Sequence, residues 1–515
     1  MRGPCHGSTI MTPLPVLVLL PIMGGGLAWL AECIWPQTTT SSPSRNASWW
    51  VMTATLIVET LLLAMVTFHH PTIQAGPWLE HFSMPWIPSM GIAVRLDMDY
   101  LSLSLIWLSL ILCFLCVCLA TRQVTVNPGT FYFLFLTTLT GIIGTFLATD
   151  LFLFFFFWEL MLVPMFILIV VWGHEDRQHA ALKFFMFTQG SGLVMLLSIL
   201  GLVIAHDRET GVLTFDYFTL AQTHLSPTLS MLLMVGFFIA FAVKLPIIPI
   251  HVWLPDAHTQ APTAASVLLA GILLKTGGYG MIRFNFMLFP DAAMHFAPIA
   301  MGLGVVGILY GAWMSCAQED IKRLIAYSSI SHMGFVVLGI FTGSHMGMQG
   351  AIIQMLAHGV STGALFLVAG VIQDQLHTRD MHLIDGLWEA TPRLSATGLF
   401  FAVASLGMPG LGNFAGEFLV LLAAWYVSPI TATLTTVGLI LAAIYALRMV
   451  NRIFLAASRE DLPPLKDLPA KQMAVFACVM IFLIVLGLYP QPFMTFSAPS
   501  PIPVMAMSNQ GDILP

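Results

Sequence analysis

The feature that most constrains this chain is a repeated one. Windows of about 20 apolar residues, the length that crosses a bilayer as a helix, recur along nearly the whole sequence. Fourteen can be drawn, near 13–35, 49–68, 99–121, 129–149, 150–172, 181–205, 228–254, 263–285, 296–317, 322–343, 347–373, 395–427, 430–454 and 472–493. No stretch between them is long or polar enough for a separate soluble domain. Barrel strands would be short and alternating, so helices are the only reading, because a helix satisfies its own backbone groups in lipid. Composition agrees: 58% of the residues are hydrophobic and 9% charged, against about 25% charged in soluble domains. An ordinary soluble enzyme is excluded, and a net charge of −6 leaves no basic footprint for nucleic acid.

The first window is longer than a signal-peptide core and is followed by no small-residue cleavage pattern, so it is expected to be retained as a span. Of seven cysteines, Cys113, Cys116 and Cys118 cluster inside an apolar run, where packed thiols are expected rather than metal ligands. The spacing fits neither a disulfide framework nor an iron–sulfur site. Basic residues set the orientation. With both termini outside the cytoplasm, thirteen of the nineteen Lys and Arg, including Lys322 and Arg323, face the cytoplasm, and four, among them Arg95 and Arg283, face away.

Two spans carry helix breakers. The seventh holds Lys244-Leu245-Pro246 and Pro249, and the twelfth holds Gly407-Met408-Pro409-Gly410 with Gly412 and Gly416. Proline removes a backbone donor, and a break at membrane depth persists only where it lines protein or a water cavity. The breaks fall fourth in the run of spans 4–8 and fourth in the run 9–13. Five-helix repeats insert with opposite topology, so the pattern predicts an inverted-repeat transporter with a midplane ion site. The expected architecture is an all-α polytopic membrane protein with about 14 transmembrane helices. Its units are 1–128 (helices 1–3), 129–290 and 291–457 (two inverted repeats, with helices 7 and 12 broken), and 458–515 (helix 14 and tail).

Charges inside spans are few: Glu59, Glu159, Lys244, Lys275 and Glu417, with His332 and His358 as polar companions. Each central charge costs roughly 2.5–3.5 kcal/mol to insert, so an unused set is improbable. A static ion pair between helices is the plain alternative to a proton relay. A desolvated lysine loses proton affinity and a nearby carboxylate restores it, so opening and closing a Glu–Lys pair loads and unloads a proton. His332 and His358 fit either satisfied core residues or relay members. His251 and His258, at a cytoplasmic end, would feed protons or cap the helix. Glu59 has no assigned role and would snorkel or pair.

Phe157-Trp158-Glu159-Leu160, Lys244-Leu245-Pro246, the stretch from His251 to Pro262, Leu274-Lys275-Thr276, the run from Asp320 to Ser329 and Asn413-Phe414-Ala415-Gly416-Glu417-Phe418 resemble the antiporter-like membrane subunits of respiratory complex I. The likeness spans about residues 99–490. It implies fourteen helices with an inverted five-helix repeat and no cofactor in this chain, the flavin mononucleotide, iron–sulfur clusters and quinone belonging to other subunits. It also implies roles: Glu159 as the carboxylate partner of Lys244, Lys275 as the eighth-span member of a central hydrophilic axis, and His332 and His358 as axis positions between the halves. Glu417 matches the twelfth-span charge, a Glu in one branch of the family and a Lys in its sisters. The implied partners are other membrane subunits, the lipid bilayer and protons, in a bacterial inner membrane. A subunit of a multi-subunit Na⁺/H⁺ antiporter is the rival on the same helices. A haem- or quinone-binding redox protein and a purely structural scaffold are rivals from other classes.

Overall fold

A computed structural model of the chain describes residues 12–34, 46–69, 78–120, 124, 126–457 and 464–496. Its long helices are α1 (Leu14–Ile34), α2 (Ala47–His69), α3 (Tyr100–Leu119), α4 (Pro128–Leu147), α5 (Leu151–Trp172), α6 (Arg177–Thr210), α7 (Pro227–Lys244), α8 (Trp253–Gln260) and α9 (Thr263–Leu288). They continue with α10 (Pro290–Ala317), α11 (Ile321–Phe341), α12 (His345–Leu376), α13 (Pro392–Ser405), α14 (Gly412–Val427), α15 (Pro429–Leu455) and α16 (Ala470–Leu488). Thirteen of the described helices are long and apolar enough to cross a membrane. The expected twelfth span is the fourteenth crossing: its break divides it into α13 and α14, each too short alone.

Local chemistry explains where the helices start. Asp99 accepts from the Ser102 amide at 2.9 Å, Asp150 from Phe152 at 3.0 Å, and Asp320 from Arg323 at 3.1 Å. Each caps donors that have no partner in a first turn. Pro128, Pro227, Pro290, Pro392 and Pro429 open α4, α7, α10, α13 and α15, the position where a missing N–H costs nothing.

Polarity is inverted relative to a soluble protein. Large apolar side chains such as Leu61, Met65, Leu197, Leu232, Trp313 and Ile440 are exposed along the outer helices, as lipid contact requires. The buried centre holds α9 and α11 along their whole apolar windows, and nearly all of α12. Small residues let these helices close up: a Cβ on Gly334 would stand 2.6 Å from the Gly304 carbonyl, and one on Gly311 2.6 Å from the Ser331 amide.

The structure corrects four expectations. Helices are not the only elements: β1 (Glu80–Ile87) and β2 (Ile92–Met98) form an antiparallel hairpin between α2 and α3. Its strands are too short to register in 20-residue windows, and its turn uses Gly91 at φ 68°. Arg283, expected outside the bilayer, is buried inside α9 and paired with Asp99. Lys322, expected at a cytoplasmic surface, is fully buried at the start of α11. Glu59 does not snorkel: it is fully buried, and neither carboxylate oxygen has a hydrogen-bond partner among the described residues. Of the basic residues behind the orientation, Arg2, Arg45, Arg122 and Arg459 lie outside the described residues.

Candidate functional site

The first break begins at Lys244, the last residue of α7, and runs to Trp253. The Trp253 indole donates to the Val243 carbonyl at 3.0 Å, satisfying an acceptor near the end of α7. Lys244 is buried, and its ammonium lies over the Trp158 ring at 5.2 Å and the Phe184 ring at 5.9 Å. Glu159, half-buried on α5, presses one carboxylate oxygen against Gly192 of α6, where a Cβ would stand 2.2 Å away. The expected Glu159–Lys244 pair is open here. Among the described residues neither the Lys244 Nζ nor the Glu159 Oε1 has a hydrogen-bond partner, and the two side chains make no ion pair.

Lys275 sits on the neighbouring helix, α9. Gly277, two residues on, lets the two backbones meet: its Cβ would fall 2.6 Å from the Phe241 carbonyl. The segment Leu269–Leu273 is wound as a π-helix, a widened turn frequent at functional sites, and the Lys275 ammonium donates back to the Ala270 carbonyl within it. The same ammonium stands 2.8 Å from His358 Nδ1 on α12, which makes that nitrogen the acceptor when the lysine is charged.

The line continues without leaving the core. The His358 and His332 rings are 5.3 Å apart between centroids. His332 Nδ1 faces the Glu417 carboxylate at 2.9 Å, with both residues buried. Glu417 belongs to α14, one turn beyond the second break. Gly407 in that break adopts φ 79°, and a Cβ there would stand 2.6 Å from the carboxylate. Three neutral groups close around this pair: the Gln354 amide donates to Glu417 at 3.0 Å, while Ser405 Oγ and the Tyr445 hydroxyl lie 3.2 and 3.3 Å from His332 Nε2. Among the seven charged or histidine positions placed inside spans above, Lys275, His358, His332 and Glu417 form one buried run, while Lys244 and Glu159 stand apart from it, with the helix of Lys244 packed against that of Lys275.

Sequence reasoning missed Gln354, Ser405 and Tyr445, since a neutral polar side chain in an apolar span carries little insertion cost to mark it. His258, expected to feed protons or cap the helix, is fully buried and stacked on Phe366 at 4.8 Å, and neither ring nitrogen has a hydrogen-bond partner among the described residues. It caps nothing. Among the described residues no cluster of three or more His, Cys, Asp or Glu is arranged to hold a metal.

Residues 148–443 match the family described as NADH:quinone oxidoreductase/Mrp antiporter, transmembrane. Over 499 residues the chain is 49% identical to NADH-quinone oxidoreductase subunit M of Pseudomonas aeruginosa, covering 95% of this chain and 96% of that one. The chain belongs to the NADH-quinone oxidoreductase subunit M family. Its backbone overlays a chain of respiratory complex I from Thermus thermophilus with a TM-score of 0.83 at 29% identity, covering 94% of this chain and 97% of that one. The fold also matches a chain of the Mrp complex from a Dietzia species, with a TM-score of 0.79 at 19% identity over 96% of this chain and 97% of that one. The helices of subunit M are thus a frame shared with Mrp-type antiporters, while the sequence places this chain on the complex I branch.

Proposed function

We propose that this chain is a proton-translocating membrane subunit of a proton-pumping NADH:quinone oxidoreductase, assembled with the other membrane subunits of the complex. Flavin, iron–sulfur and quinone chemistry belong to other subunits, and this chain moves protons in response. The observation that carries the reading is the buried run from Lys275 through His358 and His332 to Glu417. A scaffold has no use for four ionisable side chains in contact at this depth, and each raises the cost of insertion.

The roles follow from the chemistry of the groups. Glu159 and Lys244 act as the switch at one end. Closing their pair holds a proton on Lys244 and opening it releases the proton toward Lys275. Lys275 passes it to His358 Nδ1, the imidazoles hand it from ring to ring, and Glu417 receives it beside the second break. The chain divides as residues 1–128, a first five-helix repeat over 129–290, an inverted second repeat over 291–457, and a last helix with tail over 458–515. Both termini lie on the periplasmic side of a bacterial inner membrane, by the bias of basic residues. The Mrp-like frame keeps a Na⁺/H⁺ antiporter subunit as the second reading, and copurification with NADH-oxidising subunits separates the two.

Lys275→Arg is the deciding variant. Arginine stays charged even when buried, so a static pair survives the change and a relay does not. In inverted vesicles driven by NADH, the assembled variant should lose ΔpH formation. Glu159→Gln should likewise assemble and stop pumping. Normal ΔpH in assembled Lys275→Arg membranes would remove Lys275 as a carrier.

A further inference from the structure

The axis needs a way in from the surface, and the structure has a cleft in the right place. A cavity of about 1160 Å³ opens between the α5–α6 loop, the start of α11 and the end of α12 with the loop that follows it. Its lining includes six carboxylates, those of Glu175, Asp176, Glu319, Asp320, Asp374 and Asp380, against two arginines, Arg177 and Arg379. Such a surplus of negative charge concentrates cations at the mouth. Acidic residues alone make no site, but what stands behind this wall is a line of buried nitrogen bases.

His174 forms part of the wall. Its Nε2 lies 3.3 Å from the ammonium of buried Lys322 and 3.2 Å from the Gln373 amide nitrogen. Two donors converge on one nitrogen, so that nitrogen is an acceptor and the ring is neutral. Burial, with the charges of Lys322 and Arg379, agrees, pulling the His174 imidazole down to about 4.

Lys322 also reaches the Ala261 carbonyl at 3.4 Å, just beyond the C-terminus of α8. It is joined at that helix end by Arg379, which donates to the Thr259 carbonyl and pairs with Asp320 at 3.1 Å. The His174 backbone amide closes the end, donating to the Gln260 carbonyl at 2.8 Å. Inside α8 is His258, wholly buried, and neither ring nitrogen has a hydrogen-bond partner among the described residues. His258 stands one turn inside that end, on a helix packed against α11, and its carbonyl accepts from Ser266 on α9, the helix of Lys275, at 3.1 Å; both lysines are near enough to act on its charge.

We infer that this cleft is the proton-uptake mouth of the subunit, with His174 and Lys322 as the first carriers and His258 as the link to Lys275. Each step moves one proton between two bases. Lys322 gives its proton to His258, which passes one to Lys275. His174, holding a proton on Nδ1, takes a second from the cleft on Nε2, its one unprotonated nitrogen, and passes that proton to the now neutral Lys322 amine. No oxidant or further reactant is required. The inference rests on the proton-translocation reading above and adds the route by which the axis is filled.

The decisive variant is Lys322→Arg in the intact complex. It keeps a permanent cation at the end of α8 with donors for the Ala261 carbonyl, and it removes the titrating amine. A packing role predicts normal pumping from assembled complex. A carrier role predicts at least a tenfold fall in ΔpH formation per NADH oxidised. His174→Gln is the companion, since an amide keeps the hydrogen bonds to Lys322 and Gln373 and cannot relay.

A third measurement reads the mouth itself. With Glu319→Gln and Asp380→Asn together, the pH profile of coupled turnover should move to lower pH on the cleft side. An unshifted profile counts against the mouth. Parental pumping by assembled Lys322→Arg overturns the proposal, and if that variant does not assemble, parental pumping by His174→Gln does so. Loss in the Lys275 and Glu159 variants with parental pumping in these would sink the uptake route alone. Normal pumping in all of them would sink the translocation reading itself.

Discussion

At the scale of single residues, the buried ionisable groups divide by whether another polar group meets them. Glu417 has His332 and Gln354 within hydrogen-bond distance, so its carboxylate serves both a pair and a relay. Glu417→Asp should keep pumping, Glu417→Ala should not, and ΔpH formation in assembled membranes reads the difference. Parental pumping by Glu417→Ala would make the residue a structural charge. Glu59 is the opposite case, with neither oxygen hydrogen-bonded inside the α2 interface. An unsatisfied buried polar group costs about 1–3 kcal/mol. Glu59→Leu should therefore stabilise the subunit by about that much, seen as a higher unfolding temperature of the purified complex, with proton pumping unchanged. A lower unfolding temperature would show that the carboxyl has a function the described contacts do not reveal.

At the scale of elements, the spans and both breaks were legible because apolar length, proline and glycine announce them in the chain itself. The breaks were expected at Lys244-Leu245-Pro246 and at Gly407 to Gly410, and the helices stop there. Arg283 and Lys322 were misplaced for a physical reason. Both stand at the edges of the windows 263–285 and 322–343, and charges at a window's edge were counted with the loops, whereas α9 and α11 carry their charged ends into the protein, to Asp99 and His174. The contacts that join helices 80 or more residues apart leave no mark in sequence at all. Gly407 tests the second break. Forcing a residue with a Cβ into its left-handed conformation costs roughly 1–2 kcal/mol, and the new methyl would meet Glu417 at 2.6 Å. Gly407→Ala should reduce assembled complex on a native gel and lower ΔpH formation by what assembles. Unchanged values on both would mean the break has slack that its geometry does not suggest.

At the scale of the whole molecule, the hairpin of β1 and β2 meets the chain just past the Thr210 end of α6 and the acidic cleft lies at its Arg177 end, so the two belong to opposite faces, and the proposed orientation makes the hairpin face periplasmic. Single-cysteine variants test this with a membrane-impermeant thiol reagent. Gln222→Cys, between α6 and α7, should label in right-side-out vesicles, and Glu319→Cys, in the cleft, only in inverted ones. The reverse pattern would invert the molecule and place the uptake mouth on the wrong side for a pump.

The run through the centre also bears on how the chain is made. Lys275 finds His358 83 residues further along the sequence. At a synthesis rate of about 5–20 residues per second, α9 waits ~4–17 s before the nitrogen that receives its ammonium has even been added to the chain. Arg283 on the same helix has no such delay, because Asp99 was built 184 residues earlier. During biogenesis α9 is therefore anchored at its arginine end first, while its lysine stays without His358. A ribosome stalled before α12 would leave a nascent chain whose buried cation has only the Ala270 carbonyl of its own helix as a partner.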